Sequence, residues 1–196
     1  MKNSNMKNIL VVLVLGVIGL IVIISFRLGS QSTIKDITKN AQNSPSPTSQ
    51  TELNVGVSFP DFSVTDVDSK LVTKDSLKRK PAIIWFTTSW CVPCQIGAKE
   101  VSRLDNEMGG KAFEVLVIFV DPSENDNDLR NWRKNFANED WLVAFDNDPT
   151  KLATKVSLKF LDSKFLLDKN GSIKNIDLQT ANDSYLDIIR KIIKES

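Results

Sequence analysis

The stretch AIIWFTTSWCVPC, residues 82–94, decides the fold. Residues 82–88 are apolar or β-branched, which is typical of a buried strand. After residue 94, apolar side chains recur at spacings of three to five, which predicts a helix. These side chains are Ile96, Val101, Leu104 and Met108. The two cysteines of the chain, Cys91 and Cys94, are therefore predicted to lie where a buried strand ends and a helix begins.

This position has a chemical consequence for Cys91. The first turn of a helix presents unpaired N–H groups and the positive end of the helix dipole. We therefore expect the pKa of the Cys91 thiol to lie below its usual value, so that more of it is thiolate at neutral pH. Cys94 follows one turn later and can attack a mixed disulfide formed at Cys91. We expect Trp90 to flank the exposed sulfur.

Other uses of the cysteine pair fit the sequence less well. A structural zinc site takes four Cys or His ligands, and the chain has two cysteines and no histidine. A copper site that needs a distal histidine is disfavoured for the same reason. A purely structural disulfide across so short a loop would contribute only about 2 kcal/mol before strain is subtracted. We therefore predict a redox dithiol, with no metal and no cofactor.

Composition limits the remaining possibilities. The 196 residues include 25 basic and 24 acidic ones, so the net charge of +1 gives no reason to expect nucleic acid as a partner. The hydrophobic content of 41% fits one globular domain and one membrane segment. After the first fifty residues, about 145 remain, which is enough for a single domain with its own core.

The N-terminal part divides into three segments. After a leader, residues 1–8, an apolar run at 9–27 is predicted to be a transmembrane signal-anchor helix, since about 27 Å of helix matches a hydrocarbon core. A cleaved signal peptide is the alternative, but the run is long and no Ala-x-Ala site follows it. Residues 28–54 are polar and are predicted to form a flexible linker. Basic residues are nearly equal in number on the two sides of the apolar run, so the positive-inside rule does not decide the orientation. We place the N-terminus inside the cell because the leader is short.

Residues 55–196 are predicted to fold as one α/β domain. Two β-α-β steps followed by a β-hairpin and a helix give a mixed sheet with helices on both faces. A turn or short helix is expected at 74–80. Strands are predicted at 59–66, 71–73, 82–88, 113–120, 141–145, 165–168 and 172–178, and helices at 91–107, from 121 onward, at 148–156 and at 181–194.

These patterns resemble the thioredoxin superfamily, and more closely its membrane-anchored TlpA/ResA-type thiol-disulfide oxidoreductases and the redoxin group. The resemblance covers about residues 55–194. It rests on FPDF at 59–62, WCVPC at 90–94, DP at 121–122 and FLLDKNG at 165–171. It implies a thioredoxin-like fold with Cys91 as nucleophile and Cys94 as resolving thiol. It also implies that Trp90, Pro93, Leu161 and Asp162 flank the substrate.

The sequence departs from the family pattern at three positions. Asp162 stands where the family usually has a cis-proline, and we expect the loop to be trans or rebuilt because a cis bond would cost about 3 kcal/mol. Trp85 replaces the buried acid of thioredoxins, and Gly97 replaces a frequent glutamate. Glu100 or Asp162 could substitute as proton acceptor, but we expect both on the solvated surface. A carboxylate at Asp162 near the sulfurs would raise the thiol pKa.

The favoured hypothesis is an extracytoplasmic thiol-disulfide oxidoreductase, held to the cell membrane by a single span and acting as a monomer on protein thiols and disulfides. A redoxin- or peroxiredoxin-like peroxidase is the alternative. Thr88 stands three residues before Cys91, as such enzymes prefer, but Ile84 occupies the position of their usual proline. A non-catalytic thioredoxin-like binding module is the third possibility.

Overall fold

The structure, a computed structural model, describes residues 53–196. The predicted leader, membrane segment and nearly all of the linker lie outside this range. The strands are Ser63–Thr65 (β1), Leu71–Thr73 (β2), Ala82–Thr87 (β3), Glu114–Phe119 (β4), Leu142–Phe145 (β5), Lys164–Leu167 (β6) and Ile173–Asp177 (β7). The helices are Lys74–Leu77 (α1), Val92–Glu107 (α2), Asp126–Phe136 (α3), Leu152–Lys155 (α4) and Asp183–Lys194 (α5). None of these helices is long and apolar enough to span a bilayer.

A five-stranded sheet in the order β5-β4-β3-β6-β7 forms the centre of the domain. The β3–β4 and β4–β5 pairs are parallel, whereas β3–β6 and β6–β7 are antiparallel. Strands β1 and β2 form a separate antiparallel pair. The predicted mixed sheet of a thioredoxin-like fold is confirmed.

Two apolar cores cover the two faces of this sheet. In β3, Ile83 and Trp85 enter the core that also holds side chains of α2, α3 and α5, while Ile84 and Phe86 enter the other core. This alternation follows from the two-residue side-chain period of a strand. The second core is completed by α1, α4 and the β1–β2 pair. Helices therefore lie on both faces, as predicted.

The helix predicted from residue 121 begins five residues later. Its N-cap is Asn125, whose side chain accepts the N–H of Asn127, while Asp128 in the first turn accepts the N–H of Asn125. This reciprocal arrangement fixes the helix start at Asp126. Residues 121–124 form a loop at the carboxyl end of β4 instead. That loop contributes to the candidate site described below.

The helix predicted over 148–156 is reduced to the single turn α4. The carboxylate of Asp146 accepts the first N–H groups of α4, from Leu152 at 2.7 Å and from Ala153 at 2.8 Å. Asp148 instead accepts the backbone N–H of Ser63 at 2.9 Å, so it joins the β5–α4 loop to β1. The strand predicted over 59–66 is likewise shorter than expected, since β1 spans only 63–65 and Asp66 adds an isolated bridge to Ala144.

Asp148 should contribute measurably to stability. Burial alone would raise the pKa of its carboxyl, but hydrogen bonds from Thr150 and from the N–H of Ser63 hold the pKa at about 2. A carboxyl with a lowered folded pKa stabilises the fold above its unfolded pKa and loses that contribution as the pH falls. We expect Asp148→Asn to lower the free energy of unfolding by about 2 kcal/mol at pH 7, as measured by urea denaturation.

The pH dependence identifies the cause of this loss. The difference between Asp148→Asn and the unaltered chain should shrink progressively below pH 4. The Asp148 carboxyl of the unfolded chain is protonated there, whereas that of the folded chain is protonated only near its pKa of about 2. The exposed Asp140 offers a matched control, and Asp140→Asn should change the unfolding free energy by less than about 0.5 kcal/mol. A loss at Asp148 that is equal at pH 7 and pH 3 would contradict the assignment.

Candidate active site

The two cysteines form a disulfide across the first turn of α2. Their Cα atoms are 5.3 Å apart, and Cys91 is the N-cap of the helix. The backbone N–H of Cys94 points at the Sγ of Cys91, with N and sulfur 3.3 Å apart. Pro93 lies in the first turn, where its missing N–H costs no helical hydrogen bond. The predicted strand–CxxC–helix junction is therefore present, and a thiolate at Cys91 would face the free N–H groups of α2.

The two sulfurs differ in their access to solvent. Cys91 retains 7% of its possible exposure, whereas Cys94 is fully buried. Trp90 and Val92 beside them are 61% and 59% exposed, and Pro93 is exposed as well. An incoming thiolate can therefore reach the disulfide only through Cys91.

The loop that precedes the cysteines is held by two carboxylates from the 121–124 loop. The indole N–H of Trp90 donates to Asp121 Oδ2 at 2.9 Å, and the backbone N–H of Ser89 donates to Glu124. The hydrogen bond from Trp90 is the largest influence that lowers the pKa of the Asp121 carboxyl. On the helix side, Gln95 Nε2 donates to the Ser89 carbonyl at 2.6 Å. These contacts fix the backbone that carries Trp90 beside Cys91.

Sequence reasoning missed Asp121 and Glu124 as site residues. They were assigned to the start of a helix, although they directly follow strand β4. Since β3 and β4 are parallel neighbours, the loops after their carboxyl ends meet at the same edge of the sheet. That rule could have placed both carboxylates next to the cysteines.

Asp162 was expected on the solvated surface, and this expectation is wrong. The residue is 5% exposed, and its Oδ1 accepts the indole N–H of Trp85 at 2.9 Å. It lies in the loop before β6, where its own N–H donates to the carbonyl of Phe86. Its φ is +68°, and residues 53–196 contain no cis peptide bond, so the loop is trans as expected. Leu161 next to it packs on the core that contains Cys91.

A fully buried lysine explains why the Asp162 carboxylate can be inside the protein. The Nζ of Lys164 lies 3.0 Å from a carboxylate oxygen of Asp162 and 3.0 Å from one of Asp177. It also sits 4.9 Å from the centre of the Trp85 ring and 5.6 Å from that of Tyr185. Burial raises the pKa of the Asp162 carboxyl, and the charge of Lys164 opposes that rise. Burial likewise raises the pKa of Tyr185 well above its usual value.

Two of the departures from the family pattern, Trp85 and Gly97, lie next to each other. A Cβ at position 97 would come within 3.0 Å of the Ala181 backbone nitrogen and 3.3 Å of Trp85 Cη2. Ala181 and the indole of Trp85 together therefore occupy the space into which a side chain at 97 would extend. Glu100 lies at the surface as expected, where it binds Arg103 at 2.8 Å. Among residues 53–196, no group of three or more His, Cys, Asp or Glu side chains is placed to hold a metal ion.

Comparison with known proteins agrees with this geometry. Residues 55–176 match the AhpC/TSA family. The thiol-disulfide oxidoreductase ResA of Bacillus cereus is 32% identical over 124 residues, which make up 62% of this chain and 68% of that protein.

Solved structures support the same fold. The thioredoxin domain of a thiol-disulfide oxidoreductase from Bacteroides vulgatus is similar with a TM-score of 0.62 at 17% identity, covering 72% of this chain and 99% of that domain. A thio-disulfide isomerase from Thermus thermophilus has a TM-score of 0.60 at 20% identity, covering 72% and 97% respectively. With its CxxC disulfide at the start of α2, the chain belongs to the AhpC/TSA family of the thioredoxin superfamily, among the ResA-type thiol-disulfide oxidoreductases.

Proposed function

We propose that the protein is a membrane-tethered thiol-disulfide oxidoreductase whose domain, residues 55–196, acts outside the cytoplasm on protein thiols and disulfides. The observation that carries the proposal is the asymmetry of the dithiol. Cys91 keeps 7% of its possible exposure and caps a helix N-terminus, whereas Cys94 is fully buried one turn away. This is the arrangement that a nucleophile and its resolving thiol require.

The exchange then takes place in two steps. A substrate thiolate attacks the Sγ of Cys91, the Cys91–Cys94 bond breaks, and Cys94 leaves as a thiolate. A second substrate thiolate attacks the substrate sulfur of the mixed disulfide and releases Cys91 as a thiolate. The substrate leaves with a new disulfide, and the protein keeps both electrons as two thiols. The reverse sequence reduces a substrate disulfide.

The proposed location rests on the sequence before the described residues. The apolar run at 9–27 has the length of a membrane span, and the polar residues 28–54 would give the domain reach. Disulfides persist outside the cytoplasm, where an isolated dithiol can exchange with other proteins. We propose a monomer with the N-terminus inside the cell.

Labelling of intact cells tests the location. The full chain should react with a membrane-impermeant maleimide after treatment with a reductant that does not cross the membrane, because Cys91 then becomes a free thiol outside. The matched control is the Cys91→Ser/Cys94→Ser chain, which has no other cysteine and should stay unlabelled. Labelling that occurs only after the cells are lysed would place the domain inside and contradict the proposal.

A further inference from the structure

An open pocket of about 520 Å³ lies at the carboxyl ends of β4 and β5. Its floor is apolar and includes Phe119, Val120 and Phe145. Its acidic lining residues are Asp121, Glu124 and Asp146. Two of these three carboxylates are the ones that hold the Ser89–Trp90 backbone and indole, so the pocket adjoins the residues that flank Cys91.

The lining holds three carboxylates, and that of Asp121 accepts hydrogen bonds from Trp90 at Oδ2 and from Ser123 at Oδ1. Both carboxylate oxygens of Asp146 accept N–H groups at the start of α4, and the only ammonium among the described lining residues, that of Lys151, donates to the Asp146 carbonyl at 2.7 Å. One oxygen of Glu124 accepts the N–H of Ser89. The other, Oε2, is buried and has no hydrogen-bond partner within the described range. Among the described lining residues no second cation balances these carboxylates, so the pocket is negatively charged.

A long cationic side chain matches this pocket. Arginine and lysine bury an aliphatic stem on apolar surface and present a charged donor at its end. The guanidinium of arginine also carries several donors in one plane, which suits two neighbouring carboxylates. We propose that the pocket binds an arginine or lysine side chain of the substrate polypeptide near the cysteine that exchanges with Cys91. The proposal rests on the proposed function and adds a preference for substrates of one charge.

Exchange rates with short peptides test the proposal. Each peptide carries one cysteine. One further position, two to four residues before or after the cysteine, holds Arg, Gln or Glu. Formation of the mixed disulfide with the oxidised full chain is followed by acid quenching and mass spectrometry. At the best position, we expect the Arg peptide to react about fivefold faster than its Gln counterpart.

A charge-neutral variant separates the pocket from the intrinsic reactivity of the peptide. Arginine also alters the peptide thiol itself, so the informative quantity is the Arg-to-Gln rate ratio in each protein. In Glu124→Gln the amide oxygen can still accept the Ser89 N–H, but the ratio should fall at least about twofold. Glu139→Gln is the matched control: Glu139 is exposed and precedes β5, at the opposite end of the sheet, and this variant should keep the full ratio.

The remaining outcomes are equally decisive. In 0.5 M salt the preference of the unaltered protein for Arg should shrink, because the pocket is open to solvent. An Arg-to-Gln ratio that is the same in Glu124→Gln and the unaltered protein overturns the pocket proposal, and so does a preference for the Glu peptide. In either case the exchange itself would stand. If no peptide thiol reacts faster with the oxidised protein than with a small disulfide such as oxidised glutathione, the proposed function fails as well.

Discussion

Replacing Cys91 by serine is expected to abolish disulfide exchange, with a fall in rate of at least about 10³-fold. Serine cannot form a sulfur–sulfur bond, and the fully buried Cys94 offers an incoming disulfide no accessible replacement. The measurement is reduction of insulin by the full chain with dithiothreitol as electron source. Substantial activity in Cys91→Ser would contradict the assignment of the nucleophile.

Cys94→Ser is the matched variant, because it removes the other sulfur of the same pair. Cys91 remains and can still capture a substrate, but no neighbouring thiol releases it. We therefore expect turnover to be lost while a covalent mixed disulfide accumulates, visible as a heavier band on a non-reducing gel. If the mixed disulfide accumulated in Cys91→Ser instead, Cys94 would be the nucleophile and Cys91 the resolving thiol.

The same variants distinguish exchange from peroxidase chemistry. Thr88 precedes Cys91 by three residues, and its hydroxyl is buried without a hydrogen-bond partner in the part of the chain that the structure describes. An exchange enzyme should react with hydrogen peroxide no faster than a free thiolate. A much faster reaction in stopped flow, lost in Cys91→Ser, would identify a peroxidase instead.

Local patterns were sufficient to predict the frame of the site. The apolar run of β3, the period of α2 and the cysteines between them depend on neighbours in sequence, and the structure has all three in place. The start of α3 could also have been predicted, because Asn125 and Asp128 have the spacing of a capping box. The Asp-Pro pair at 121–122 lies in the loop between β4 and α3 instead. The membrane segment at 9–27 stays a prediction.

The environment of Asp162 could not be predicted in this way. The sequence Leu161-Asp162-Ser163-Lys164 is polar and would usually lie at the surface, since Lys and Asp are rarely buried unless paired. Its burial depends on Trp85, 77 residues earlier, and on Asp177 in the next strand. Only the pairing of β6 with both β3 and β7 brings these groups together. Such a tertiary pairing leaves no periodic signal in the sequence.

Lys164→Met is expected to lower the free energy of unfolding by about 3–5 kcal/mol at pH 7, as measured by urea denaturation. Methionine can occupy the volume of the aliphatic stem, but it leaves the Asp162 carboxylate buried beside Trp85 without its cation. A carboxyl whose folded pKa is raised by burial destabilises the fold as the pH rises above its unfolded pKa. The loss should therefore be smaller near pH 4 than at pH 7.

Two further variants test whether an unpaired charge causes this loss. Lys164→Met/Asp162→Asn removes both members of the Lys164–Asp162 pair and should recover part of the stability, because no carboxylate at 162 is then left uncompensated. Lys174→Met is the matched control, since Lys174 is exposed on the neighbouring strand β7 and should change the unfolding free energy by less than about 0.5 kcal/mol. If Lys164→Met were no worse than this control, the left-handed backbone at Asp162 would have to be held by contacts other than the buried ion pair.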